Sequence, residues 1–271
     1  MAKMNNYSVL MSVYYKERPE FLKRSIESVM SQTVLTDDFV LVCDGPLTDD
    51  LYKVIDEVKK KYNCINVLQL DQNRGLGVAL SKGILETKNE LIMRMDSDDV
   101  CCPKRAELQL SLMDKYDLVG GFISEFENEE NNIIGYRKTP ENYENIYKFA
   151  KKRNPFNHPT VMFKKSVILE AGNYQHLQYL EDYFLWVRVL RITKKVYNIQ
   201  EVLVNMRSGR EMRARRASRT ARKSIRTLRK FMYSIKMLNW FQWHFYSFAQ
   251  NFFLILPAKI KNLFYRKALR D

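Results

Sequence analysis

The first 95 residues alternate short apolar segments with amphipathic ones, and this alternation restricts the fold more than any other feature of the chain. Four apolar segments are rich in residues that favour strands: 7–14, 38–43, 65–70 and 91–95. Three segments between them space apolar residues three and four apart: 19–30, 51–62 and 78–85. That spacing is typical of a helix with one buried face. Repeated strand–helix units predict an α/β fold, with a mostly parallel central sheet flanked by helices.

Polar side chains follow three of the predicted strands. Tyr14, Asp44 and Asp96 each come directly after an apolar run. In open parallel sheets, ligands bind at the carboxyl ends of the strands. We therefore expect these three residues to lie together at one edge of the sheet.

The cluster Asp96-Ser97-Asp98-Asp99 follows the fourth strand. Crowded carboxylates repel one another unless a cation lies between them, and hard divalent cations prefer oxygen ligands. Acidic residues are also common in turns and at the start of helices. The cluster alone therefore leaves two interpretations open, a metal site and a turn.

Beyond residue 100 the pattern becomes less regular. A helix is predicted at 103–116 and strands at 118–126, 133–136 and 160–163, the last after a Pro-bounded loop at 154–159. A short helix at 167–171 precedes a strongly apolar helix at 180–190. Two carboxylates, Glu181 and Asp182, stand at the start of that helix.

Composition places the chain among globular proteins. Of its 271 residues, 46% are hydrophobic and 28% are charged. The four cysteines have no spacing typical of paired metal ligands, and the N-terminus lacks the apolar core of a signal peptide. These features predict buried free thiols and a cytoplasmic location.

The positive charge is concentrated at the C-terminus. Residues 1–204 contain 28 Lys and Arg against 29 Asp and Glu, a balance of −1, whereas residues 205–271 contain 17 against 2, a balance of +15. We therefore expect a neutral catalytic domain at 1–204 and a basic helical tail at 205–271. Such a tail needs an anionic partner: phospholipid, nucleic acid or a phosphorylated substrate. Its aromatic segment 238–256 is interrupted by polar residues, which suits a helix lying in a membrane interface better than one that spans it.

Seven short motifs occur in an order that resembles a known family. They are Met11-Ser12-Val13-Tyr14-Tyr15-Lys16-Glu17, Ser28-Val29-Met30-Ser31-Gln32-Thr33, Val42-Cys43-Asp44-Gly45, Asn73-Arg74-Gly75-Leu76-Gly77, Met95-Asp96-Ser97-Asp98-Asp99, Asn157-His158-Pro159-Thr160 and Glu181-Asp182-Tyr183-Phe184-Leu185-Trp186. The ordered set resembles the inverting family 2 glycosyltransferases with the GT-A fold. It is most similar to bacterial enzymes that build capsular, exopolysaccharide or lipopolysaccharide units.

The resemblance divides the catalytic domain into a nucleotide-binding half, about 1–100, and an acceptor half, about 101–204. It implies that the first half holds the nucleoside and diphosphate of a UDP-sugar. The residues implied are Ser12, Val13, Tyr14, Glu17, Asp44, Arg74 and Asp96. Within this set, Asp44 would accept the imide N–H of uracil. Asp98 would bind Mn²⁺ or Mg²⁺ directly, Asp96 would face the ribose and the waters of the metal, and Asp99 would cap a helix.

On the acceptor side, the resemblance favours Asp182 as the base that removes a proton from the acceptor hydroxyl. Glu181 would orient the acceptor, and His158 and Trp186 would lie nearby. Arg207 and Arg210 would close over the diphosphate as a basic lid. A membrane-facing run of charge is the alternative for these two arginines.

The expected partners are a UDP-sugar donor, a lipid-linked saccharide acceptor and an anionic membrane surface contacted by 205–271. This predicts an enzyme on the inner face of the bacterial plasma membrane. Two alternatives stay open: a nucleotidyltransferase on a similar sheet, and a nucleic-acid-binding protein acting through the Arg-rich stretch 207–230. Nucleic acid is not expected, because the first domain is neutral and the aromatic stretch is too apolar for a wet interface.

Overall fold

The computed structural model of the protein describes residues 6–208 and 219–255. Its strands are β1 (Tyr7–Val13), β2 (Asp38–Cys43), β3 (Ile65–Gln69), β4 (Leu91–Asp96), β5 (Val100–Cys101), β6 (Leu118–Phe126), β7 (Ile133–Arg137), β8 (Met162–Lys164) and β9 (Val196–Arg207). Its helices are α1 (Pro19–Met30), α2 (Asp49–Lys61), α3 (Leu76–Glu86), α4 (Arg105–Leu110), α5 (Tyr143–Ala150), α6 (Lys165–Glu170), α7 (Glu181–Ile192), α8 (Arg219–Ser234) and α9 (Trp240–Ile255), with a 3₁₀ turn at His158–Thr160.

Within the described residues the strands form one mixed sheet, in the order β3-β2-β1-β4-β8-β6-β9-β5, with β7 paired to β6. The first four strands of the chain run parallel to one another, and β6 runs parallel to β9. Strand β8 runs antiparallel between β4 and β6 and joins the two parallel parts. The predicted α/β fold with a mostly parallel sheet is confirmed.

The two faces of the sheet are covered by different helices, because successive side chains of a strand point to opposite faces. Leu10 and Ile92 belong to a buried cluster that includes residues of α3 and α7. Their neighbours Val9 and Met93 belong to a second cluster, with residues of α1 and α2. The sheet is therefore a central layer between two sets of helices.

Some sequence-based expectations for residues 99–116 are wrong. Asp99 does not cap a helix: its Oδ1 accepts the backbone N–H of Arg207 at 2.9 Å, and β5 follows it. The helix predicted at 103–116 is confined to α4, residues 105–110, because the chain must then turn into β6 at Leu118. The sequence analysis also did not identify β9, which pairs in parallel with β6 and antiparallel with β5.

The first tail helix packs against the catalytic domain. Leu228 and Met232 of α8 are buried in the same cluster as α7, and the rings of Phe231 and Phe184 meet edge to face with centroids 5.0 Å apart. Arg229 of α8 donates a hydrogen bond to the carbonyl of Tyr246 in α9 at 2.6 Å. The division of the chain at residue 204 stays a prediction.

Helix α9 exposes a row of aromatic side chains. They are Trp240, Phe241, Phe245 and Phe248, which are 54%, 75%, 65% and 69% exposed. Among residues 6–208 and 219–255, no helix has both the length and the apolar character needed to cross a membrane.

Candidate active site

The carboxyl ends of β1, β2 and β4 lie side by side. Ser12 is opposite Val42 on one side and Asp96 on the other. The N–H of Asp44 donates to the carbonyl of Val13 at 2.8 Å. Tyr14, half-buried, begins the turn that leads to Glu17, whose N–H bonds the Tyr14 carbonyl. The structure therefore brings the residues expected to bind the nucleotide to one edge of the sheet.

Asp44 also organises the turn before α3. Its two carboxylate oxygens accept the backbone N–H groups of Arg74 and Gly75, at 2.8 and 2.9 Å. Gly75 has φ +87°, a conformation that L side chains rarely adopt. The Arg74 side chain is exposed. Asp44 thus connects the end of β2 to the glycine turn, a role that the sequence analysis did not assign.

The acidic cluster after β4 is crowded. Glu17 accepts a hydrogen bond from the Ser97 hydroxyl at 2.6 Å, which brings a further carboxylate to the cluster. Burial, followed by the charges of Asp96 and Glu17, raises the pKa of Asp98 to about 7. Burial and the neighbouring Asp98 and Asp96 likewise raise the pKa of Asp99 well above its ordinary value. Burial and crowding therefore oppose ionisation of Asp98 and Asp99.

Asp98 and Asp96 fit part of a divalent metal site. Among the described residues, no group of three or more His, Cys, Asp or Glu side chains is arranged to hold a metal ion. Mg²⁺ in nucleotide sites is commonly bound by one or two carboxylates plus substrate phosphates, with waters completing the shell. The repulsion felt by Asp98 is what a divalent cation would relieve. The two aspartates would supply the protein's share of such a site, and a diphosphate would supply the rest.

A buried arginine, not identified from the sequence, holds Asp96. Arg94 is 1% exposed, and both of its terminal guanidinium nitrogens donate to the Asp96 carboxylate, one of them at 2.6 Å. Burial by itself would lower the pKa of Arg94, but the charge of Asp96 and its hydrogen bonds raise it. The available signal was a charged residue inside a buried apolar strand, two positions before Asp96.

Asp182 lies at the start of α7 and is half-buried. It accepts hydrogen bonds from the Tyr183 N–H at 2.7 Å and from the Asn154 side-chain amide at 2.5 Å. Burial raises its pKa, and these two bonds, followed by the charges of Arg137 and Arg94, offset part of the increase. Asp182 is therefore a positioned carboxylate that is more basic than an ordinary aspartate.

Glu181 connects the two halves of the domain. A Cβ placed on Gly77, near the start of α3, would lie 2.8 Å from the Cγ of Glu181. The absence of a side chain at Gly77 lets the start of α7 approach the start of α3. Burial and the charge of Asp182 raise the pKa of Glu181.

His158 is half-buried, whereas Trp186 is fully buried. The His158 Nε2 is 2.7 Å from the Tyr174 hydroxyl, and burial and Arg94 hold its pKa well below the ordinary 6.5, so the ring is neutral at pH 7. Trp186 is 0% exposed and packs beneath it, with ring centroids 6.0 Å apart. Trp186 can therefore affect the acceptor side only through the residues that it supports.

Arg207 is held in place at the end of β9. Its guanidinium lies 3.7 Å from the centre of the Phe21 ring and 4.6 Å from that of Phe126, and its Nε donates to the Asp98 carbonyl at 3.2 Å. This places a positive charge beside the acidic cluster. Its role toward a diphosphate stays a prediction, and Arg210 lies outside the described residues.

Comparison with known proteins identifies the family. The model described as "Glycosyl transferase family 2" matches residues 8–171, more than half of the chain. The chain belongs to glycosyltransferase family 2. The strand ends described above lie within the region matched in this glycosyltransferase, whereas Asp182 and β9 lie beyond it.

Relatives of this glycosyltransferase extend over nearly the whole chain. An uncharacterized glycosyltransferase of Haemophilus influenzae is 41% identical over 213 residues, 78% of this chain and 79% of that protein. The amylovoran biosynthesis glycosyltransferase AmsE of Erwinia amylovora is 33% identical, over 96% of this chain and 98% of its own. An Escherichia coli UDP-Gal:alpha-D-GlcNAc-diphosphoundecaprenol beta-1,3-galactosyltransferase is 33% identical, over 97% of this chain and 96% of that protein.

Solved structures confirm the GT-A fold. TarS 1–349 of S. aureus with UDP-GlcNAc superimposes with a TM-score of 0.62 at 16% identity, covering 83% of this chain and 65% of that one. The mannosyltransferase PcManGT of Pyrobaculum calidifontis, solved with GDP-Man and Mn²⁺, gives 0.62 at 14% identity with the same coverage. This glycosyltransferase therefore spans just under two thirds of each of those chains.

Proposed function

We propose that this glycosyltransferase transfers one sugar from a UDP-sugar to a lipid-linked saccharide, with inversion, in the synthesis of a bacterial surface polysaccharide. The observation that carries the proposal is the contact between Glu181 and Gly77. It brings the start of α7, with Asp182, against the glycine turn of the nucleotide-binding half. A base and a leaving nucleotide must flank one sugar ring, and this contact supports such an arrangement.

The donor would lie across the ends of β1, β2 and β4. The segment Ser12–Tyr14 and Glu17 would hold the nucleoside, with Asp44 fixing the turn that carries Arg74. Asp98, aided by Asp96, would hold Mn²⁺ or Mg²⁺. A bound metal ion supplies Lewis-acid stabilisation of the negative charge on the departing UDP.

The acceptor hydroxyl would attack from the α7 side. Asp182 takes the hydroxyl proton as the oxygen bonds to the anomeric carbon and the bond to UDP breaks. A single displacement of this kind inverts the configuration. The raised pKa of Asp182 strengthens it as a base, and the bonds from Asn154 and the Tyr183 N–H orient its carboxylate. Glu181, beside it, would orient the acceptor.

The tail would place this site at the inner face of the plasma membrane. Residues 205–271 have a net charge of +15, and basic residues near anionic lipid contribute about 1 kcal/mol each. The exposed aromatic row of α9 is suited to the interface between lipid and water. Support for a lipid-linked acceptor comes from the Escherichia coli relative, whose name specifies a diphosphoundecaprenol substrate.

A donor panel tests the chemistry. Purified protein is incubated with Mn²⁺, a synthetic polyprenyl-diphosphate sugar and UDP- or GDP-sugars, including UDP-Gal and UDP-GlcNAc, and nucleotide release is measured. We expect release of UDP from at least one UDP-sugar and its loss in Asp98→Ala. Asp182→Asn should retain UDP binding but lose transfer by a factor of about 10² to 10⁴.

Asp49→Asn is the matched control for Asp182→Asn. Asp49 also lies in the first turn of a helix, α2, but it is exposed and lies outside the strand-end site. The Asp49→Asn variant should transfer sugar at the wild-type rate. Normal transfer by Asp182→Asn, or release of pyrophosphate in place of UDP, would contradict the proposal.

Vesicle co-sedimentation tests whether the aromatic row of α9 binds a membrane surface. The double variant Phe241→Ser/Phe245→Ser should bind phosphatidylglycerol-containing vesicles more weakly than wild type. The control is Leu35→Ser/Leu85→Ser, which removes two apolar side chains of similar exposure (63% and 59%) from the catalytic domain. Equal binding by the two double variants, or tighter binding of RNA than of vesicles, would contradict this part.

A further inference from the structure

Arg94 lies in the interior, where burying the charge of an arginine costs free energy. Its side chain is 1% exposed, within a strand whose other residues up to Met95 are buried and apolar. Its Nε has no hydrogen-bond partner among the described residues. Burying a charge costs several kcal/mol, and even good pairing repays this only in part. A hydrophobic residue would fill the same place without that cost, so stability alone does not account for Arg94.

Because successive side chains of a strand point to opposite faces, the Arg94 side chain lies on a defined face of β4. Ile92, Arg94 and Asp96 share one face of β4, and Met93 and Met95 face the opposite helices. The backbone N–H of Arg94 donates to the Val161 carbonyl at 3.0 Å, directly after the 3₁₀ turn that carries His158. Arg94 thus lies between the end of the donor strand and the acceptor-side turn.

We propose that Arg94 is a positioning residue for sugar transfer, whose buried guanidinium fixes the Asp96 carboxylate and supplies a positive charge shared by the donor and acceptor sides of the site. This inference rests on the proposed function. Because Arg94 binds both oxygens of Asp96, the carboxylate cannot rotate freely, and part of its charge is already neutralised. Direct coordination of a cation then falls mainly to Asp98.

The charge of Arg94 also acts on the acceptor side. Burial raises the pKa of Asp182, and the charge of Arg94 lowers it, after the larger effects of the Tyr183 and Asn154 hydrogen bonds and of Arg137. Burial lowers the pKa of His158, and the charge of Arg94 lowers it further. Several other groups interact with Asp182: Arg137 of β7, the Asn154 amide, Tyr174, the neighbouring Glu181 and Tyr183. Arg94 differs from these because it is also bonded to Asp96.

Two substitutions separate the two roles. Arg94→Lys keeps a positive charge but cannot bond both Asp96 oxygens in one plane. It should weaken UDP binding about tenfold, the loss expected from one hydrogen bond to a charged group. Arg94→Met also removes the charge, which makes ionisation of Asp182 harder. The acid limb of its kcat profile should therefore move to higher pH.

Arg105 provides the matched controls. It is 0% exposed and donates to the Gln109 side chain and to the backbone carbonyls of Arg94 and Val161, all neutral groups. Arg105→Lys and Arg105→Met should lower the melting temperature about as much as the Arg94 variants. They should leave the affinity for UDP and the position of the acid limb unchanged.

UDP affinity is measured by isothermal titration calorimetry, with and without Mn²⁺, and kcat is measured between pH 5 and 9. Wild-type UDP affinity in Arg94→Lys, or an acid limb in Arg94→Met that matches that of Arg105→Met, would overturn the inference. If Arg94→Met does not fold, the calorimetry of Arg94→Lys decides. If the wild-type protein binds UDP but transfers to no lipid-linked acceptor, the proposed function fails, whereas the binding comparison still decides the role of Arg94.

Discussion

Asp182 owes its basicity to its position at the start of α7, not to its residue type. Burial there opposes ionisation, while the Asn154 amide and the Tyr183 N–H hold the carboxylate in one orientation. The balance of these effects leaves the pKa above that of an ordinary aspartate. A carboxylate of this kind accepts a proton more readily than one in water.

The first prediction concerns the pH dependence of transfer. A base must be deprotonated to act, so kcat should fall as the pH decreases through the raised pKa of Asp182. The acid limb should therefore lie above the ordinary aspartate value of 3.8. Stopped assays of UDP release across a pH series at saturating substrates measure it. A limb that persists unchanged in the residual activity of Asp182→Asn would assign it to another group.

The second prediction concerns Asp44. Replacing it by alanine leaves the N–H groups of Arg74 and Gly75 without their carboxylate partner. We expect a loss of about 1–3 kcal/mol in the free energy of unfolding, measured by urea titration, together with weaker UDP binding. Asp71→Ala, an exposed carboxylate in the same connection, is the control and should change neither quantity. An unchanged UDP affinity in Asp44→Ala would separate Asp44 from the nucleotide site.

At the scale of elements, α8 packs against the helix that carries Asp182. Leu228, 1% exposed, lies in the buried cluster that contains α7, and Phe231 contacts Phe184 of that helix. The helix that carries Asp182 is therefore supported from behind by the first helix of the basic tail. The charge pattern of the sequence assigns α7 and α8 to different parts of the chain, whereas their side chains pack together in one buried cluster.

The third prediction follows from this packing. Leu228→Ala should reduce the free energy of unfolding of the whole catalytic domain by about 2–5 kcal/mol, the usual cost of such a cavity. Thr227→Ala, exposed at the adjacent position, should cost far less. Both are measured by urea titration with a catalytic-domain probe, such as the fluorescence of Trp186. Equal stability of the two variants would show that α8 is an independent appendage.

At the scale of the whole molecule, the donor site and the exposed aromatic row of α9 are parts of one chain whose charge is strongly asymmetric. Residues 1–204 have a net charge of −1 and residues 205–271 have a net charge of +15, so on the proposed function nearly all of the attraction to an anionic surface would come from the tail. Attraction between exposed charges is screened over about 8–10 Å at physiological salt. Membrane contact should therefore respond to ionic strength, whereas the chemistry at Asp182 should respond much less.

The fourth prediction uses this difference. Anionic vesicles should raise the rate of transfer to a lipid-linked acceptor embedded in them several-fold, and 0.5 M salt should abolish the increase. Transfer to a short-chain, water-soluble acceptor analogue should be insensitive to the vesicles. Parallel radiolabel assays with the two acceptors measure both effects. Stimulation of both acceptors alike would indicate activation by lipid and not recruitment to the surface.

Much of this arrangement could be predicted from the sequence, because it depends on local patterns. The alternation of residues 7–95 predicts the parallel strands, and the position of Asp44 and Asp96 after them predicts the edge at which these polar side chains meet. The family motifs also identify Asp98 and Asp182 as candidates. These features need only the periodicity of strands and helices and the order of residues along the chain.

Only the tertiary structure revealed β9, the salt bridge of Arg94 with Asp96, the hydrogen bond from the Arg207 N–H to Asp99 and the contact of Glu181 with Gly77. Each joins residues whose relation depends on how strands and helices assemble: Asp99 and Arg207 are 108 positions apart. Arg94 and Asp96 are only two residues apart, but the burial of the Arg94 side chain, 1% exposed against 32% for Asp96, depends on the assembled fold. Sequence thus determined which groups the site contains, and packing decided which of them are charged, oriented and near one another.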